Sequence, residues 1–199
     1  MMRRLRAGRD EAGFSLIELL VVVILLGIIG TVVTSGVISA MKATRTQDDE
    51  TMTLNAAKSA MERITREIRG ANAFTDCEPR TMSFTYTHNN IRTAITFTVN
   101  AASTTVSDIT ETKSVTDLST TVTTNSTSKV LGGLAIGQSD AVFTYADAGG
   151  TVLTPQTTTP ETYNPGAVKS VGIRVLMRRI GGHPSVQLSQ LVSIRNLEV

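Results

Sequence analysis

GFSLIELLVVVILLGIIGTVV occupies residues 13 to 33, and how it is read decides the fold. Of the 20 residues from Phe14 to Val33, 15 are Phe, Leu, Ile or Val. A helix rising about 1.5 Å per residue crosses about 30 Å of hydrocarbon in that length. On an insertion scale these side chains together contribute roughly −5 to −9 kcal/mol, against about +3 kcal/mol for one acidic residue at the centre and less near an end. The segment therefore reads as a membrane-crossing helix despite Glu18. That carboxylate needs a partner, because an ionised group in hydrocarbon is costly unless paired. No Lys, Arg or His stands between Phe14 and Ala40, so the cation must come from another subunit or from a newly made amino terminus.

The flanks orient the segment. Arg3, Arg4, Arg6 and Arg9 precede it, whereas only Lys42 and Arg45 follow closely. The excess of positive charge predicts a cytoplasmic N-terminus, with residues 42 to 199 outside the cytoplasmic membrane. The formal net charge of the chain is +2. Because the leader holds four arginines against Asp10 and Glu11, the remainder is balanced, which argues against a globally basic nucleic-acid binder. A conventional secretory signal peptide is the rival reading, with Ile38-Ser39-Ala40 as the small-residue stretch. The length of the apolar run, the carboxylate at its start and the helical pattern beyond the proposed cut all oppose it. No Cys lies near the end of the segment to accept a lipid.

Gly13-Phe14-Ser15-Leu16-Ile17-Glu18-Leu19-Leu20, after a basic leader and before a Val/Ile/Leu run, resembles the processing site of type IV prepilins and type II secretion pseudopilins. The resemblance implies that a membrane-embedded prepilin peptidase cuts between Gly13 and Phe14 and methylates the new amino group of Phe14. It implies that residues 1–13 are a removable leader and residues 14–40 a transmembrane and filament-core helix. Its partners would be other pilin or pseudopilin subunits and an inner-membrane assembly platform with its ATPase. Glycine at the cut leaves an extended backbone unobstructed. The cut would also make a cation four residues before Glu18. In an apolar bundle, Glu18 pairing with the Phe14 amine of a neighbour would fix axial register, since an unpaired buried charge costs several kcal/mol. Many major pilins carry a helix-bending proline after the apolar run; here Ser35-Gly36 stands instead, with Gly27 and Gly30 upstream.

Beyond the membrane segment, Leu54, Ala57, Met61, Ile64, Ile68 and Ala71 recur at steps of three and four. This apolar stripe predicts that residues 41–70 continue the same helix with a core-facing side. Lys58, Glu62 and Arg66 fall opposite as exposed ion-pairing residues, and Gly70 is the expected stop. The pattern then changes to period two. Met82, Phe84 and Tyr86, then Ile95, Phe97 and Val99, predict a hairpin turning at His88-Asn89-Asn90. Val171, Ile173, Val175 and Met177, then Val186, Leu188, Val192 and Ile194, predict a second one turning at Gly181-Gly182. Strands are also expected near Val142 to Tyr145 and Thr151 to Leu153, around Gly149-Gly150. The predicted class is α+β, a ladle-like long helix on an antiparallel sheet head spanning residues 71–199. Residues 103–127, with 15 Ser or Thr, and the proline-punctuated stretch 154–165 read as loops.

A weaker resemblance extends further. Met61 to Ala71 and Ser193-Ile194-Arg195-Asn196 are similar to J-type minor pseudopilins and W-type minor pilins, which implies a low-copy subunit near a filament tip or in initiation. Lys169, Arg174, Arg178, Arg179 and Arg195 make the last strands basic, a candidate patch for a neighbouring subunit or, as in competence pili, for DNA. Asn125-Ser126-Thr127 has the spacing of an N-glycosylation acceptor. His88 and His183 stand beside turn residues without an acid or nucleophile partner, and Cys77, the sole cysteine, has no neighbouring base. With no metal-ligand spacing, phosphate loop or nucleophile elbow, the sequence predicts no cofactor, no metal and no enzymatic activity.

Overall fold

A computed structural model describes residues 15–103, 106–136, 140–158, 161–177 and 186–194. One helix, α1, runs from Leu16 to Arg69. The chain divides between Gln47 and Asp48 into two compact units, and α1 passes through the boundary. In the first unit nearly every described side chain is exposed, from Leu16 at 83% to Leu20 at 52% and Val33 at 59%, so this apolar surface has no cover among the described residues. It contains the one helical segment long and apolar enough to cross a membrane among the described residues. Three of its hydroxyls bond to their own helix. Thr31 donates to the Ile28 carbonyl at 2.8 Å, Thr34 to Gly30 at 2.8 Å and Ser35 to Val32 at 2.9 Å. A hydroxyl bonded back to its own helix removes most of the cost of placing it in an apolar medium. Gly27, Gly30 and Gly36 lie within α1, which stays helical through all three.

In the second unit the helix turns amphipathic. Ala57, Ala60, Met61, Ile64 and Ile68 are buried, and Leu54 is half-buried. Lys58, Glu62 and Arg66 are exposed on the other side. The helix closes with tightened three-residue bonds, Gly70 N–H to Glu67 and Ala71 N–H to Ile68 at 3.1 and 3.0 Å.

The chain then forms a sheet. Strands β1 (Ala73–Cys77), β2 (Thr81–His88), β3 (Ile91–Ala101), β4 (Ser107–Asp117) and β5 (Thr123–Leu134) make an antiparallel meander. Strands β6 (Phe143–Ala146), β9 (Ser170–Met177) and β10 (Val186–Ser193) continue it, β9 pairing with β5, β6 and β10. The short β7 (Thr157–Thr158) and β8 (Glu161–Thr162) pair separately, and a 3₁₀ turn follows at Pro165–Ala167. One long N-terminal helix with an antiparallel sheet is the α+β arrangement expected from the sequence.

The core lies between the amphipathic half of α1 and one sheet face. Met82, Phe84, Ile95, Phe97, Ile109, Val171, Ile173 and Val175 are buried there with Ile64 and Ile68. Phe74, Phe84 and Phe97 stack in a tilted row with ring centroids 5.7 and 6.1 Å apart. The first hairpin turns at Asn89 and Asn90, whose φ values of 49° and 62° put both in the left-handed region that Asn tolerates and a two-residue hairpin demands. Gly150, at φ +80°, serves the turn after β6, where Asp147 Oδ1 accepts from Gly149 N and Thr151 N at 2.8 and 2.9 Å. Val152 meets Ala146 in an isolated bridge rather than a strand. The Gly181-Gly182 turn lies outside the described residues.

The reading of 103–127 as a loop is corrected: most of it is β4 and the start of β5. Threonine is β-branched and suits strands, so a Thr-rich run bounded by turns extends readily. The apolar alternation that marks a strand is weak here because Ile109 and Val115 share the inner face of β4 with Glu111 and Lys113, and the first residues of β5 are all exposed. Threonines of adjacent strands register on the outer face, Thr96 with Thr112, Thr112 with Thr127 and Thr116 with Thr123. The Thr116 and Thr123 hydroxyls are 2.9 Å apart. Stretch 154–165 is likewise part strand, since Thr157 pairs with Thr162.

This register predicts opposite outcomes for adjacent strand positions. Ile109→Ala should cost about 2–5 kcal/mol of stability, whereas the outward Thr112→Ala should stay within about 0.5 kcal/mol, measured by urea denaturation of the full chain in detergent. Two neutral substitutions would indicate a loop.

Candidate functional site

The start of α1 gives Glu18 its setting. Ser15 precedes the helix, and its carbonyl accepts from Glu18 N at 3.0 Å and Leu19 N at 3.2 Å. Glu18 is thus the third helical residue, in the first turn, where unpaired N–H groups and the helix dipole favour a negative charge by about 0.3–1 kcal/mol. Reading the sequence for a distant cation missed this local contribution. The spacing Ser15-x-x-Glu18, that of a capping box, was the signal that could have revealed it. The carboxylate is exposed on a helix end surrounded by exposed apolar side chains, Leu16 at 83%, Ile17 at 70% and Leu19 at 62%. Along α1 the first cationic residue is Lys42, nearly seven turns away at about 3.6 residues per turn. Gly13 and Phe14, the candidate cut and methylation positions, lie outside the described residues, as does the leader 1–13.

The other candidates disperse. Arg174 is exposed on β9, beside Thr144, Ser189 and Leu191 on the sheet face away from α1. Arg178, Arg179, Arg195 and Asn196 lie outside the described residues, as does His183. His88 is exposed at the end of β2, paired with Ile91. Asn125 is exposed on β5. Among the described residues no three His, Cys, Asp or Glu side chains group as a metal site.

Cys77 is 1% exposed at the end of β1. Burial, reinforced by the negative charge of Asp76, pushes its thiol up to about 12. Nearby, Tyr145 donates its hydroxyl to the Glu78 carbonyl at 2.8 Å and packs against Tyr163 with centroids 5.0 Å apart, so this corner is structural. The sequence reading also passed over Arg63 and Glu111, which form an ion pair between α1 and β4.

The thiol yields a signed expectation. Its folded pKa is raised above the unfolded value, so the stability it confers is complete below about pH 9 and declines as pH rises toward 12. Native protein at pH 7.5 should resist iodoacetamide and be alkylated only after unfolding, as read by intact mass. Rapid alkylation of the folded chain would contradict the buried thiol.

Residues 8–34 match the family model of the prokaryotic N-terminal methylation motif. No curated protein and no solved structure matches the chain. The match takes in Arg9, the Gly13-Phe14 junction, Glu18 and the apolar run, and so supports a protein like the type IV pilins and pseudopilins at its N-terminal end.

Proposed function

We propose that this chain is a structural subunit of a type IV pilus or pseudopilus, cut between Gly13 and Phe14, methylated at Phe14 and assembled through α1. The observation that carries the reading is the methylation motif lying directly on a helix whose apolar surface the other described residues leave exposed. Such a surface needs lipid first and helical neighbours afterwards. Before assembly the helix holds the subunit in the cytoplasmic membrane with the head outside, as the arginine-rich leader directs. On entering a filament, Glu18 meets the methylated amine of a neighbour, so that a charge tolerable at a helix end becomes a neutral pair inside the bundle. Pairing of this kind selects a position more than it adds stability.

The subunit is of the minor class, acting at the tip or in initiation rather than repeating along the shaft. Supporting this are the likeness of residues 61–71 and 193–196 to minor subunits and a head large enough to carry an extended β4–β5 hairpin.

Mass spectrometry of sheared filaments and of membranes should find a mature N-terminus of methylated Phe14. A start near Met41 would instead indicate ordinary signal-peptide cleavage. Glu18→Ala should be processed normally yet be lost from filaments, and its unchanged incorporation would remove the pairing step. Quantifying the chain against the most abundant filament protein should give a small molar fraction, and equimolar content would place it in the shaft.

A further inference from the structure

Glu111 is the single buried charged residue among the described residues, with its side chain 3% exposed. Strand β4 puts it on the core face, opposite Phe97 of β3 and Ser128 of β5. Arg63 of α1 reaches it, Nη2 standing 2.5 Å from Oε2, and the same nitrogen donates to Ser128 Oγ at 3.0 Å. Among the described residues no hydrogen-bond donor is aligned on Oε2, so the contact is one of charge with charge. Two residues later, about 200° around the helix, Thr65 Oγ1 donates to Gln190 Oε1 of β10 at 3.2 Å. The amphipathic stretch is therefore tied on one flank to β4 and β5 and on the other to β10, with Met61, Ile64 and Ile68 buried in the core.

Apolar burial alone is non-directional and sets helix position weakly. The inner stripe of α1 includes Ala57 and Ala60, whose small side chains make shallow ridges that permit sliding. A buried carboxylate does not permit it. Moving α1 by four residues, about 6 Å at 1.5 Å per residue, would bring Glu67 or Ser59 toward Glu111. The first repels it and the second leaves it without a cation. We propose that the Arg63–Glu111 pair, with Thr65–Gln190 on the opposite flank, is a register lock. It opposes a four-residue slip of residues 48–69 along the sheet, and so holds the setting in which Lys58, Glu62 and Arg66 face outward.

The lock is tested by hydrogen exchange on the full chain in detergent. In Glu111→Gln the amides of residues 57–68 should exchange faster by about tenfold or more, while those of 82–99 in β2 and β3 keep their native rates. Arg63→Gln should reproduce the pattern, since it removes the other half of the pair. Arg63→Lys is the milder variant should either fail to fold: it keeps the charge, loses the second contact to Ser128, and should quicken exchange in the same segment by about threefold. Unchanged exchange in residues 57–68, or equal acceleration in both regions, would overturn the proposal, because the pair would then be inert or merely a general stabiliser.

Discussion

The apolar surface of α1 between Leu16 and Val33 is left exposed by the other described residues. Water is a poor solvent for the fourteen Leu, Ile and Val side chains of this stretch, so the helix needs an apolar medium around it. That requirement accounts for details which otherwise look unrelated. Thr31, Thr34 and Ser35 spend their hydroxyls on their own helix, and the first described cation along α1 waits until Lys42. The acidic residue that breaks the pattern sits in the first turn, where the helix end itself favours negative charge.

The same helix solves a different problem after Gln47. There it is a half-buried element, and its apolar stripe closes one side of a core built largely from aliphatic residues and three stacked phenylalanines. Lone Cys77 supplies no cross-link, so burial and sheet pairing hold the head together. The buried Glu111 is at odds with that economy and is met by Arg63. Ion pairs in a core often add little net stability, which makes the specification of position the more natural role.

Much of this was legible in the residue order. A continuous apolar run, a stripe at steps of three and four, and two stretches of clean period-two alternation each report whether a local face is buried, and short-range chemistry such as Asn89-Asn90 fixes the turn. The Thr-rich stretch failed that test because its strands bury few apolar side chains. β4 carries Glu111 and Lys113 inward, and the first half of β5 is exposed throughout. What makes them strands is pairing with β3 and with each other along the full register, a property of neighbours rather than of local pattern.

The sequence by itself determined the membrane-length helix, its methylation motif, the amphipathic continuation, the first hairpin and the strand pattern of β9 and β10, since each rests on periodicity or on residues adjacent in the chain. Tertiary structure alone decided that Glu111 is buried, that Arg63 is its partner, that Thr65 reaches Gln190, and that the threonines of β3, β4 and β5 fall into line on one outer face. Those relations join residues 48 and 125 positions apart for the two helix–sheet contacts, Arg63 with Glu111 and Thr65 with Gln190. No window along the chain contains both partners, so only the folded sheet brings the charges and hydroxyls within reach of one another.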